Sequence, residues 1–289
     1  MENLTNIIYQ ARFALKSNWL HAVQILEAGL KTNPEAIDLY IELAEIYDQK
    51  GIYKKSLQYY QKVLNHDPLH VYARFKSGNI YLTMDAPKLA IHHYNNIKEN
   101  YPEALFNKAI AYNALRKNEE AIKTLKILVS LPEKMLQGYK YLIELLVVFD
   151  KTKDAHKYLN EAEETFGLTP AIHFLKAMVF AREKKYLKAY HEYLLASRDA
   201  TEHPQVHHIL ASIAASIKQF PNAIKHLKDA IAINNINIVA VQDLINLLVK
   251  LKIVNTSVEF EEYFESFESA TIDIARNYFI NEIQKGANI

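Results

Sequence analysis

IDLYIELAEIYDQKGIYKKSLQYYQKVLNHDPLH, residues Ile37 to His70, carries a spacing of large and small side chains that recurs along nearly the whole chain. Tyr40, Leu43, Ala44, Ile46 and Tyr47 repeat at threes and fours, which puts them on one face of a helix. Gly51 ends that helix. A second helical pattern runs through Tyr53, Ser56, Leu57, Tyr60, Val63 and Leu64 and stops near Asp67 and Pro68, because proline cannot continue a helix but can open the next one. The unit is a helical hairpin.

A 34-residue ruler laid from this hairpin finds the small residue of each second helix at Ala22, Ser56, Ala90, Ala121, Ala155, Ala189, Ala223 and Ser257, with one shorter step of 31 between Ala90 and Ala121. Small residues are demanded there because two helices approach closely only where side chains do not hold the backbones apart. Large residues fill the remaining space. Phe13, Tyr47, Tyr81, Tyr112, Leu146, Phe180 and Leu248 share one register, with Ala214 the exception, and Leu26, Tyr60, Tyr94, Leu125, Leu159, Tyr193 and Leu227 share another. At helical spacing these stripes read as core, as does Trp19, the counterpart of Tyr53, Tyr186 and Phe220. Pro34, Pro68, Pro102, Pro132, Pro170 and Pro204 fall at or near the joins between units, each suited to the first turn of the next helix. Pro87, with Asp85 as N-cap, opens the second helix of the third unit. The short step removes nearly one helical turn, so a local change of curvature is expected around Ile97 to Pro102; a tolerated deletion is the plainer alternative.

The eighth unit is degenerate. Val241, Leu244, Ile245 and Leu248 keep the first-helix pattern, but Glu261 falls in the aromatic position and Phe260, Tyr263, Phe264 and Phe267 carry the apolar face. A further helix, residues 270–285, shows Ile272, Ala275, Tyr278, Phe279 and Ile283 on one side. It reads as a cap on the stack, or else as a surface offered to a partner or a second copy, with the acidic run Glu259, Glu261, Glu262, Glu265 and Glu268 as a solvated face or a contact for a basic surface.

The hairpin resembles the tetratricopeptide repeat (TPR): Tyr40 stands for the family's tryptophan, Leu43 and Ala44 for its Leu-Gly, followed by Tyr47, Ser56, Tyr60 and Pro68. That resemblance implies an all-α fold, a right-handed superhelical solenoid of about eight hairpins plus a C-terminal capping helix. Residues 1–289 would then form one solenoid, with seven clear repeats over 3–237, a degenerate eighth over 238–268 and the terminal helix at 270–285. It also implies a class of work, the binding of other polypeptides.

Bulk composition agrees with a helical protein that has a large core. The 289 residues are 50% hydrophobic and 23% charged, with only 6 Gly and 8 Pro. With 34 basic and 33 acidic side chains, the net charge of +1 gives no field to gather phosphates, which disfavours nucleic-acid binding. Zero cysteines leave no disulfide framework, thiolate metal site or thiol nucleophile. The opening MENLTNIIYQAR lacks a basic region before an apolar run, and no stretch reaches the roughly 18 apolar residues of a membrane span. A soluble, cytoplasmic protein without membrane partners is the expectation.

Enzyme motifs are absent: there is no glycine-rich phosphate loop, no Gly-x-Ser-x-Gly and no His-Glu-x-x-His. Glu119, Glu120, Glu163 and Glu164, with lysines nearby, read as helix-face support, and Arg182, Lys184, Lys185 and Lys188 as a solvated turn. The 12 histidines are not expected to hold a metal. His66 with His70 and His203 with His207 straddle joins, while His92-His93 and His207-His208 are adjacent and diverge on a helix. His173 and His207, in one register of neighbouring units, would lie about 10 Å apart, too far for one zinc. No cofactor, metal or catalytic residue is expected.

In arrays of the family the first helices line a concave groove. The groove positions here hold Asp38, Ile41, Glu42 and Glu45; Tyr72, Phe75, Lys76 and Asn79; Phe106, Asn107, Ile110 and Asn113; Gln137, Lys140, Tyr141 and Glu144; and Phe174, Leu175 and Met178. An aromatic partner-binding surface of Tyr72, Phe75, Asn79, Phe106, Asn107, Asn113, Tyr141, Phe174 and Met178 follows, in which asparagine amides could hold an extended backbone. The family's carboxylate clamp is not kept. Asn79 and Asn107 match its two asparagines, but Phe75, Gln137 and Tyr141 stand where it needs basic residues. An extended or helical segment with apolar anchors is therefore the expected ligand. The competing reading is a self-assembling subunit that uses the surface from Val258 to Ile283.

Overall fold

The computed structural model describes residues 4–98, 100–197 and 204–286, with side chains described over 4–98, 100–197 and 206–281. Among the described residues the chain is all α-helical. The helices are α1 (Leu4–Leu15), α2 (Trp19–Thr32), α3 (Ile37–Gln49), α4 (Tyr53–His66), α5 (Val71–Thr83), α6 (Pro87–Asn95), α7 (Pro102–Ala114), α8 (Asn118–Ser130), α9 (Leu136–Val148), α10 (Thr152–Phe166), α11 (Pro170–Arg182), α12 (Tyr186–Ala196), α13 (Pro204–Ser216), α14 (Phe220–Ile233), α15 (Ile238–Lys250), α16 (Ser257–Phe264) and α17 (Ser269–Gly286). They pack as consecutive hairpins. The chain divides into two compact units, Met1–Gly138 and Tyr139–Ile289.

The small-residue ladder is the core of both units. Ala22, Ser56, Ala90 and Ala121 in the first, and Ala155, Ala189 and Ala223 in the second, are all 0% exposed. Ser56 shows how close the helices come: its Oγ donates to the Ala44 carbonyl across the hairpin at 2.7 Å, and Ala44 is itself fully buried. Leu26, Tyr60, Tyr94, Leu125, Leu159, Tyr193 and Leu227 are buried as their register requires.

Phe13 departs from its stripe and is 69% exposed. Its counterpart Tyr47 is covered by Trp19 of the preceding hairpin, edge-on at 6.1 Å, and by Tyr59, stacked at 5.7 Å. Phe13 lies on α1, the first described helix, and lacks that cover.

From the second hairpin onward the turns inside the hairpins are built alike from unlike residues. Gly51 has φ +69°, and the same place is taken by Asp85, Arg116, Asp150, Lys184, Lys218 and Lys252 with φ between 53° and 60°. In each, the next residue's N–H reaches back into the last turn of the helix, as in Ile52 to Tyr47 at 2.9 Å and Ala86 to Tyr81 at 2.8 Å, satisfying a carbonyl that helix ends leave open. Asp85 is therefore not an N-cap. It is the left-handed turn residue, and Ala86 precedes the helix opened by Pro87.

Pro102, Pro170 and Pro204 open α7, α11 and α13 as expected. Pro34 and Pro68 do not. They sit second in β-turns closed by Ala36 N to Asn33 O and by His70 N to Asp67 O, both 3.1 Å, where the fixed φ of proline suits the turn. Pro132 likewise precedes its helix. The short step is absorbed by α6, which has 9 residues where α4 has 14.

The last hairpin breaks the ruler. Ser257 is exposed, and Phe260, 1% exposed, takes the buried place one turn later. The cause is a delayed start: α16 opens only after Thr256, which forms a capping box with Glu259. Phe264 then fills the aromatic position that Glu261 would have held. The helix α17 closes this end with Thr271, Ala275 and Phe279 buried, and Phe279 stacks on Phe260 at 4.8 Å. Ile272 and Tyr278 pack half-buried beside them; the Ile283 side chain lies outside the described residues. Among the described residues no helix is long and apolar enough to cross a membrane.

Candidate partner-binding surface

In the first unit, α5 and α7 carry six of the predicted residues, all half-buried: Tyr72, Phe75, Asn79, Phe106, Asn107 and Asn113. Asn79 is their hub. Its Oδ1 accepts from the Tyr94 hydroxyl at 2.7 Å and from Asn107 Nδ2 at 2.8 Å, so one carboxamide ties α5 to both α6 and α7. Phe75 packs edge-on against Tyr101 at 4.9 Å.

The Tyr72 hydroxyl donates to Glu45 on α3, and Lys76 lies 5.6 Å from the Tyr72 ring. Burial raises the Asp48 pKa, partly offset by Lys76. Burial lowers that of Lys108, which lies 5.9 Å from the Tyr112 ring. Glu42 is paired with Arg12 of the preceding hairpin. This end of the surface is acidic and braced; the part around Phe75 and Asn107 is apolar and amide-lined.

The second unit carries Tyr141 on α9 and Phe174 and Met178 on α11, each half-buried. Phe174 packs against Tyr193 at 5.5 Å, with Lys140 Nζ 6.0 Å from its ring. Burial raises the pKa of Glu144 on the same face. Leu175, assigned to the groove by its register, is fully buried and belongs to the core.

Two further residues fall on the same register and were not among those expected. A cleft of about 230 Å³ in the second unit is lined by Ser212, Ala215, Asp243, Asn246, Leu247 and Lys250. Ser212 and Asn246 are the next positions of the 34-residue ruler after Met178, so the signal was present in the spacing. Asn246 Oδ1 accepts from the Tyr278 hydroxyl of α17 at 3.1 Å.

The charged runs are largely engaged within the chain. Glu259 caps α16, Glu261 is held bidentately by Arg276 at 3.0 Å, and Glu268 accepts from Asn235. Arg182 pairs with Asp150 at 2.9 Å and Lys185 with Glu183 at 2.9 Å. Of the surface from Val258 to Ile283, Phe260, Phe264 and Phe279 are spent on the unit's own core, while Val258 and Ile280 stay exposed.

The histidine pairs weighed in the sequence do not gather. His66 stacks on Tyr40 and His70 caps α5, while His203 lies outside the described residues. His173 meets Glu192 at 2.7 Å and His208 meets Asp243 at 2.6 Å. His207 instead meets His226, a contact between the two helices of one hairpin rather than between like positions of two.

Consecutive hairpins, seven of them with a buried small residue where the helices cross, define a helical-repeat protein. Residues 37–68 and 103–132 match family models described as Tetratricopeptide repeat. No curated protein matches the sequence. Among solved structures the chain is similar to a tetratricopeptide repeat protein from Parabacteroides merdae, at 14% identity over 85% of this chain and 98% of that one, with a TM-score of 0.57. It is also similar to Pseudomonas aeruginosa pilF, at 18% identity over 80% and 98% with a TM-score of 0.55. A chain of the APC/C hetero-tetramer Cut9-Hcn1 matches at 14% identity over 96% and 57%, with a TM-score of 0.53. The chain carries tetratricopeptide repeats over those two stretches, within a fold of the same kind as these solved structures. Such repeats generally mediate protein–protein interaction and are typically non-catalytic.

Proposed function

We propose that the chain is a non-catalytic scaffold or adaptor that takes a peptide or helical segment of a protein partner against its first-helix face. In the first unit the contact is centred on Phe75, Asn79, Phe106 and Asn107, flanked by Tyr72 and Asn113. Tyr141, Phe174 and Met178 form the corresponding surface of the second unit. The observation that carries this reading is the Asn79 hub. Its oxygen is satisfied within the chain at 2.7 and 2.8 Å, so the amides are held in fixed positions beside half-buried aromatic rings. Fixed donors next to apolar anchors are what an extended or amphipathic segment needs. With Gln137 and Tyr141 in place of clamp cations, a terminal carboxylate is not the ligand.

The test is capture of partners from native lysate, followed by affinity measurement on the captured segment. Phe75→Glu and Phe106→Glu, checked for unchanged helix content, should each weaken binding by roughly 30-fold or more, the loss expected of a central anchor. Tyr9→Glu, on the exposed face of α1, should leave binding intact. Equal binding by wild type and both groove variants would remove the assignment.

A further inference from the structure

The α13–α14 hairpin holds a cluster that partner binding does not use. His226 and Asp229 stand at i and i+3 on α14 and so share a face, and His207 reaches them from α13. Nδ1 of His207 lies 3.4 Å from Nδ1 of His226 and 3.6 Å from Oδ2 of Asp229. One ligand atom from each of the three residues falls within 4.8 Å of the others. A tetrahedral ion with bonds of about 2.0–2.1 Å spaces its ligands about 3.3–3.4 Å apart, which matches the contact between the two histidines.

A second observation points the same way. The Tyr190 hydroxyl on α12 lies 3.0 Å from Nε2 of His226. In metal sites the ring nitrogen turned away from the ion is commonly held by such a partner, which fixes the tautomer and orients the ring. A neutral His226 that donates Nε2–H to Tyr190 carries its lone pair on Nδ1, the atom that lies against His207.

We propose that His207, His226 and Asp229 form a binding site for one divalent ion of the zinc class, with the fourth position left to water. Two imidazoles and a carboxylate suit zinc, cobalt or nickel; magnesium and calcium take oxygen sets. Tyr190 is a positioning residue. The ion fastens α13 to α14, so it stabilises the hairpin by mass action. The pairs His208–Asp243 and His173–Glu192 lack a third ligand among the described residues and serve as internal controls.

The test uses the full chain without an affinity tag, freed of metal by a chelator. Zinc is titrated calorimetrically and cobalt by visible absorption, with magnesium as the negative arm. One saturable equivalent, an intense cobalt band of the tetrahedral kind and a raised melting temperature are expected. His226→Ala and Asp229→Asn should abolish the cobalt band. Tyr190→Phe should weaken zinc binding about tenfold, and His208→Gln should leave it unchanged, all with wild-type helix content. Folded wild-type protein that takes up no saturable zinc overturns the proposal. So does a cobalt band that survives His226→Ala, or one lost equally in His208→Gln.

Discussion

In the α13–α14 hairpin the fully buried Ala223 lies where the helices cross, whereas in α15–α16 the same depth is reached by Phe260. Both hairpins turn through a left-handed lysine, Lys218 at φ 60° and Lys252 at φ 58°. They part after it. In the first, only Gln219 separates the turn from α14; in the second, Ile253 to Thr256 intervene before α16 begins. Alanine lets two helices approach to the short end of the 8–10 Å range. Phenylalanine forbids that approach, and the extra linker together with the capping box gives the ring room. The space is then filled from a third element, because Phe279 of α17 stacks on Phe260, which also stacks on Phe264 at 4.6 Å. What repeats require is a filled crossing, and this chain fills it in two ways: by close backbones, or by aromatic rings drawn from a following helix.

The sharpest way to break the comparison is Phe260→Ala. If the last hairpin were an ordinary one, alanine would restore its register and cost little. Because α16 already starts late, truncation should instead leave a cavity and destabilise by about 3–5 kcal/mol. Urea denaturation followed by near-ultraviolet signal from the phenylalanine cluster measures it, with faster amide exchange expected along α17. A cost below about 1 kcal/mol would show that the ring is filler rather than keystone.

The converse experiment crowds a close-backbone crossing. A Cβ on Gly78 would lie 2.4 Å from Cε1 of Tyr94. That ring is buried, and its hydroxyl is held by Asn79, so it has no easy way to swing aside. Gly78→Ala should therefore destabilise by about 1–3 kcal/mol. Gly29→Ala should cost less, since its nearest neighbour, the γ2 methyl of Ile7, lies at 2.9 Å rather than 2.4 Å. Equal losses at the two glycines in thermal melts would mean that the Tyr94 anchor is not rigid.

Hairpin order, the seven buried small residues and the second aromatic register were legible because each depends only on spacing along a helix. The eighth small residue was not. Ser257 sits on the ruler, but the ruler cannot see Thr256 and Glu259 delaying the helix. Phe13 fits its stripe and is exposed all the same, because burial comes from the rings packed over a position, as Trp19 and Tyr59 are over Tyr47, and not from the residue itself. On the candidate surface, Phe75, Asn79 and Asn107 were found from position alone. That Asn79 is already bonded to two partners could not be, since Tyr94 lies on a different helix and outside the groove register. His226 escaped for a related reason. Comparing like positions of neighbouring units separates histidines by one repeat, while the hairpin brings unlike positions of its own two helices together.

The turns give the smallest effect and the finest test. Glycine announced the turn at Gly51, but six other turns adopt the same left-handed backbone without it. An L-residue there costs about 1–2 kcal/mol, and replacing it by glycine returns part of that gain as unfolded-chain freedom, roughly 0.5–1 kcal/mol. Lys218→Gly should therefore stabilise by about 0.5–1 kcal/mol in denaturant melts, with both lysines exposed and no packing to lose. Lys252→Gly should give the same gain, because its turn closes in the same way: Ile253 N to Leu248 O at 2.9 Å, against Gln219 N to Ala214 O at 2.9 Å. Matching gains place the divergence of the last hairpin after residue 253, in the linker and the cap. A gain at Lys218 with a loss at Lys252 would move it into the turn itself, and the delayed start of α16 would then be a consequence of a strained corner rather than of the Thr256 cap.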